Sequence, residues 1–237
     1  MNRKILLYIF LFAILNRPGT CPAQAVAEPL PYITVQQGPL KENQILYNGK
    51  VWRNLYTNVK GDQFLFSSDY LIGSLSINGE IYKNLSINYD IYNDEIITPT
   101  NHGSILQLNK EMVDSFTVSF GVKTYSFINI TADSLAGIKG YVNVLYSGKS
   151  ALFIKYKKEI QLLAVDDKYD LFYRTYKIYF LKHGTVYQIN SKRDLLKLMA
   201  EDKTQIKAFI KNNKLKVTTK VVESLVPVLR YYDSLSH

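Results

Sequence analysis

Acidic side chains that could act as a catalytic pair gather at two points of the sequence. The first group is Asp90, Asp94 and Glu95, and the second is Asp166, Asp167 and Asp170. Two carboxylates held across a cleft are the machinery of glycoside hydrolysis. Both groups also contain the Asn and Asp residues that favour turns, because these side chains bond to their own backbone. We therefore predict turns at both points and keep a carboxylate-dependent hydrolase as an alternative.

Other patterns related to catalytic motifs lack the context that their chemistry requires. The run Gly148-Lys149-Ser150 is similar to the end of a phosphate-binding loop, but Asn143 stands where that loop needs its first glycine. The three histidines are isolated from one another and show no metal-ligand spacing. The sequence therefore predicts no catalytic residue, no cofactor and no metal site.

Basic residues are concentrated near the end of the chain. Lys203, Lys207 and Lys211 recur every four residues, so a helix places their ammonium groups on one face. Residues 192–220 hold nine Lys or Arg against three acidic residues, whereas the charges between residues 26 and 191 and beyond 220 balance. Such a face is usually solvated, and contact with an anionic partner is the alternative.

A four-residue pattern of glycine, any residue, a β-branched residue and an aromatic residue occurs three times, ending at Trp52, Tyr82 and Tyr187. These aromatic residues join the three lysines as candidate contacts for a ligand or partner, since their rings combine an apolar face with a polar edge. The predicted turn residues are Asn48, Gly49, Asn78, Gly79, Gly148 and Gly184. Asn-Gly pairs favour two-residue hairpins, so we expect positive φ at Gly49 and Gly79.

The fold class indicated by these patterns is mainly β with a C-terminal helical segment. An antiparallel hairpin meander forms a curved sheet, a sandwich or a partial barrel, and two or three short helices cover it. Strands are predicted between residues 44 and 189, including one at 44–57 and two at 150–157 and 159–165. The segment Leu171 to Leu181 is apolar on both faces and needs cover.

Helical periodicity begins after Asn190, where Ser191 and Asp194 are spaced like a capping box. A second helix is predicted to begin near Asp202, and Pro227 is expected to kink or divide a third. The residues predicted to pack on the sheet are Leu195, Leu198, Phe209, Ile210, Leu225 and Leu229.

The first 25 residues have the composition of a cleavable signal peptide. Arg3 and Lys4 precede an apolar run that is too short to span a bilayer, and small residues follow near Ala25. We predict a signal peptide at 1–25, a β-rich domain at 26–190 and a helical segment at 191–237 packed on the same domain. Cleavage also removes Cys21, the only cysteine, so the mature chain has no thiol.

The run from Asp90 to Gly103, together with 107–116 and 155–159, resembles a group of secreted bacterial envelope proteins of uncharacterised function. The resemblance implies an exported location and a β-rich fold with a helical tail, and it assigns no catalytic residue. We expect a secreted or periplasmic, non-enzymatic binding or assembly component of the cell envelope, with no transmembrane span in the mature chain. The expected partner is an anionic envelope component or another envelope protein, not nucleic acid. A carrier of an apolar ligand such as a lipid is the other alternative.

Overall fold

Antiparallel hairpins dominate the fold because β-branched and aromatic residues alternate with polar ones between tight turns. The computed structural model describes residues 49–131 and 137–235, all within one compact unit. The strands are β1 (Gly49–Val51), β2 (Val59–Lys60), β3 (Leu71–Ile77), β4 (Glu80–Asp90), β5 (Glu95–Pro99), β6 (Ile105–Leu108), β7 (Val113–Phe120), β8 (Lys123–Ile130), β9 (Gly140–Ser147), β10 (Ala151–Val165), β11 (Tyr169–Lys182) and β12 (Thr185–Ile189). The predicted fold class is confirmed.

The strands form one open, curved sheet in the order β1-β6-β5-β4-β3-β7-β8-β9-β10-β11-β12, with β2 pairing in parallel with β11. The curvature brings the turn after β4 against β10, five places along that order. There the amide of Lys158 donates to the carbonyl of Ile91 at 3.2 Å, and the ring of Tyr92 meets that of Phe172 edge-on. This contact holds the two halves of the sheet together.

Two hairpin turns follow the sequence prediction closely. Asn78 and Gly79 have φ values of 50° and 83°, and His183 and Gly184 have values of 47° and 74°. Both pairs therefore have the positive φ at two central residues that a type I′ turn requires. Gly148 also lies between two antiparallel strands, β9 and β10, as predicted.

Gly49 contradicts the prediction of a turn, because it lies in β1 opposite Leu108 of β6. Its φ is not positive. An added Cβ would collide with the carbonyl oxygen of Gln107, so this glycine permits close approach of two backbones. Asn48 lies outside the described residues.

Two predicted strand boundaries also differ. The described part of the 44–57 strand is paired only over Gly49–Val51. The strands predicted at 150–157 and 159–165 are one strand, since β11 pairs with β10 along most of its length.

Gly79→Ala is expected to destabilise the protein by about 1 kcal/mol. No atom lies within 4 Å of the position that a new Cβ would take, so the effect isolates backbone strain at φ 83°. Denaturant unfolding measures it, with Lys83→Ala on the exposed part of β4 as the control. Equal stability of Gly79→Ala and the wild type would contradict a strained turn.

Aromatic rings from β4, β7, β8 and β9 pack together in the core. Phe116 and Phe127 stack with a centroid distance of 4.5 Å, Tyr89 meets both of them edge-on, and Tyr141 meets Phe116 and Tyr89 edge-on. All four side chains are at most 2% exposed.

Three α-helices cover one face of β10, β11 and β12. They are α1 (Lys192–Leu198), α2 (Lys203–Asn212) and α3 (Val226–Ser234), and a 3-10 turn at Val222–Leu225 leads into α3. Pro227 lies in the first turn of α3, where its missing N–H is not needed. Leu195, Ile210 and Leu229 of the helices form one core cluster with Ile178 and Phe180 of β11. The predicted cover of β11 is thus provided by the helices on one face, while on the other face Tyr173 is 38% exposed.

Candidate anion-binding site

The start of α1 is fixed by local capping, and buried side chains join α1 to α2. The hydroxyl of Ser191 accepts a hydrogen bond from the amide of Asp194 at 3.2 Å, and the Asp194 carboxylate accepts one from the amide of Asn190 at 3.1 Å. A hydrogen bond from the Ser191 side chain to the Asp194 carboxylate is the main reason why the pKa of Asp194 is lowered. Met199 is fully buried just after α1, and it belongs to the same core cluster as Ile206 of α2. The two short helices are therefore held in a defined arrangement.

A pocket of about 390 Å³ lies between these helices, and we call it the basic pocket. It is lined by Lys192, Arg193, Leu196, Lys197, Lys203 and Lys207. Among the described residues, no carboxylate lines it. None of the five cations belongs to an ion pair within the described part of the chain.

Five positive groups around one concave surface create a local potential that attracts anions. The ammonium groups are exposed, so their attraction is screened by salt and is strongest for a ligand that engages several of them together. Apart from the cations, the described lining contains one aliphatic side chain, Leu196, and no hydroxyl, thiol, imidazole or carboxyl group. The arrangement is suited to binding negative charge.

The three predicted lysines are exposed, as the periodicity indicates, but they do not all lie at the same site. Lys203 and Lys207 line the basic pocket, and Lys211 lies one turn further along α2, outside the lining. Lys192, Arg193 and Lys197 belong to the same local charge excess, but their spacing in the sequence does not mark them as contacts. Their distance from Lys203 depends on the angle between α1 and α2, which the spacing of residues in the sequence does not give.

The aromatic candidates lie in separate places. Trp52 follows β1 at one end of the strand order, and Tyr187 is in β12 at the other end. Tyr82 is buried in the core, so its ring offers no surface to a ligand. Burial, together with the hydrogen bond from its hydroxyl to Glu80 at 2.6 Å, raises the pKa of Tyr82 to about 12.

Three of the acidic residues that suggested hydrolysis, Asp90, Asp166 and Asp167, lie at turns. The buried Asp90 accepts hydrogen bonds from the amides of Tyr92 and Asn93, each at 2.9 Å, and from the Asn93 side chain at 2.8 Å. Asp166 and Asp167 have φ values of 53° and 49° at the tip of the β10–β11 hairpin. The predicted turns are therefore present at both points.

Asp94 has a different role, because it lies between two lysines. Its carboxylate pairs with Lys155 at 2.7 Å and also with Lys110, and it accepts a bond from Tyr89 at 2.6 Å. Burial acts to raise the pKa of Asp94, but the charges of Lys155 and Lys110 outweigh it and hold the pKa below its usual value. Burial lowers the pKa of Lys155, and Asp94 opposes this shift. We call these three residues the ionic cluster.

Comparison with protein-family models, curated proteins and solved structures found no match to the chain. The resemblance to secreted envelope proteins stays a prediction. Among the described residues, no helix combines the length and apolarity needed to cross a membrane. The same residues contain no group of three or more His, Cys, Asp or Glu side chains placed to hold a metal ion.

Proposed function

We propose that this protein is an exported, non-enzymatic component of the cell envelope that docks on an anionic membrane surface through the basic pocket. The observation that carries the proposal is the set of five cations around one concavity, none of which belongs to an ion pair among residues 49–131 and 137–235. The composition of the first 25 residues supports export.

A membrane surface fits these cations because they project from exposed helix faces. Lys203, Lys207 and Lys211 occupy one side of α2, while Ile206 and Ile210 on the other side are buried against the sheet. A planar array of lipid phosphates contacts such a face without entering the fold. Each lysine near an anionic bilayer contributes about 1 kcal/mol to binding.

The test is binding to vesicles of phosphatidylcholine alone or mixed with phosphatidylglycerol, measured by sedimentation. The wild type is expected to bind only the mixed vesicles, and less at high salt. Changing Lys203, Lys207 and Lys211 together to Gln is expected to weaken binding roughly a hundredfold, the equivalent of about 3 kcal/mol.

A matched variant controls for net charge. It replaces three exposed lysines outside the helices, Lys50, Lys83 and Lys168, with Gln. This control is expected to bind nearly as the wild type does. Equal weakening in both variants would show a nonspecific charge effect, and no binding by the wild type would refute the proposal.

A further inference from the structure

A second basic concavity lies on the opposite face of the β10–β11 hairpin. It has a volume of about 260 Å³, and the lining side chains that matter here are Lys139, Lys155, Lys157, Glu159, Lys177 and Tyr179. We call it the sheet groove. In the pairing of β10 with β11, Lys155 lies opposite Lys177, and Ile154 lies opposite Ile178.

The alternation of side chains along β10 and β11 shows which residues lie on the face covered by the helices and which lie on the opposite face. Successive residues of a strand point to opposite faces. Ile154 and Ile178 pack under the helices, so Lys155 and Lys177 point away from them. The sheet groove and the basic pocket are therefore separated by the sheet.

Positive charge exceeds negative charge in the sheet groove. Among the described residues that line it, the one carboxylate is that of Glu159, which already pairs with Lys157 at 3.1 Å and accepts a bond from the Tyr173 hydroxyl at 2.5 Å. Lys139 and Lys177 belong to no ion pair within the described residues. The groove is thus chemically suited to an anion.

Lys155 adds a positioned cation at the floor of the groove. Its ammonium group is held by Asp94 at 2.7 Å and by the carbonyl of Tyr141 at 3.0 Å, and its side chain is 19% exposed. Asp94 also pairs with Lys110, so one carboxylate serves two ammonium groups. A partly buried, uncompensated positive charge is unfavourable, and an anion in the groove would balance it.

The recessed shape of the groove favours a linear polymer as ligand over a flat membrane surface. Lys155 and Lys157 are alternate residues of one strand, which places them about 7 Å apart along it. The side chain of Thr175 also lines the groove. A recessed row of cations beside a hydroxyl suits a linear acidic polysaccharide, whose sugars offer carboxylates and hydroxyls.

We propose that the sheet groove binds a carboxylate-bearing polysaccharide. One molecule of the protein would then link the polysaccharide to the membrane surface. Binding in the groove is independent of the basic pocket. The joining of the two ligands rests on the membrane docking proposed above.

Titration with polygalacturonate, followed by calorimetry at low salt, tests the groove. The wild type is expected to bind, and Lys157→Gln with Lys177→Gln should weaken the affinity at least tenfold. Both side chains are exposed, so this variant is expected to fold, which its thermal unfolding checks. The variant Lys203→Gln with Lys207→Gln should retain the wild-type affinity within about twofold, because it alters only the other face.

Three results would overturn the groove proposal: no binding by the wild type, equal binding of a neutral glucan, or equal affinity of the Lys157 and Lys177 variant. Binding of short-chain polyphosphate with the same lysine dependence, but not of polygalacturonate, would also refute a polysaccharide ligand.

Simultaneous binding of the polysaccharide and the membrane is tested by sedimenting labelled polygalacturonate with anionic vesicles in the presence of the protein. Recovery of the polysaccharide should require the lysines of both sites. If vesicle binding fails while the groove titration succeeds, the membrane proposal is wrong and the groove proposal stands. If both ligands bind separately but never together, the joining is refuted.

Discussion

Removal of every residue after Asn190 is expected to leave the protein insoluble. The deletion uncovers the sheet side chains that α1, α2 and α3 now cover. These are Leu152, Ile154, Ile178, Phe180 and Ile189, each at most 3% exposed. At about 2 kcal/mol for each, their exposure costs roughly 10 kcal/mol. That loss is comparable with the whole stability of a typical domain, which is about 5–15 kcal/mol.

The soluble fraction, size-exclusion profile and dye binding of the truncated protein measure this effect. Graded variants keep the chain intact: Leu225→Ala and Leu229→Ala, at two fully buried positions, should each destabilise by about 2–5 kcal/mol. The full-length Lys203, Lys207 and Lys211 triple change to Gln should leave stability nearly unaltered, since these side chains are exposed. A soluble truncated protein with cooperative unfolding would instead show that the β-rich part folds without the helices.

Replacement of Asp94 by Asn is expected to destabilise the protein by about 3–5 kcal/mol, because it leaves the ammonium groups of Lys155 and Lys110 partly buried without a counter-charge. The change also weakens the bond from the Tyr89 hydroxyl. Denaturant unfolding at neutral pH measures the loss.

Two further variants separate the charge effect from simple disruption. Glu111→Gln removes an exposed carboxylate and should change stability by less than about 0.5 kcal/mol. Adding Lys155→Met to Asp94→Asn removes one of the two uncompensated charges, so the double variant should be more stable than Asp94→Asn alone. If the destabilisation of the double variant equals the sum of the effects of the two single substitutions, the two side chains do not interact.

The same pair predicts a pH dependence. The pKa of Asp94 is lower in the folded protein than its usual value of 3.8. Between these two values the unfolded chain binds more protons, so stability rises with pH. The stabilisation by Asp94 is therefore present above pH 3.8 and is lost as the pH falls through the folded pKa. The wild type should lose more stability in this acidic range than Asp94→Asn does.

Local sequence was sufficient for the turns and caps, because their geometry depends on adjacent residues. Asn78-Gly79 forms its turn through two residues that tolerate positive φ. Ser191 and Asp194 begin α1 through bonds within four residues. The alternation of apolar residues also predicted most strands, the helical tail and the fold class, since the period of two or 3.6 is a property of each segment alone.

Tertiary structure decided everything that needs a partner distant in the chain. The pair Asn48-Gly49 has the same signal as Asn78-Gly79, but pairing with β6 places Gly49 in a strand. Asp94 pairs with Lys155 only because the curvature of the sheet places the turn after β4 next to β10. The two basic concavities depend on the angle between α1 and α2 and on the register that sets Lys155 beside Lys177. Neither the helix angle nor the register is encoded in one segment, because each results from packing between elements that are far apart in the sequence.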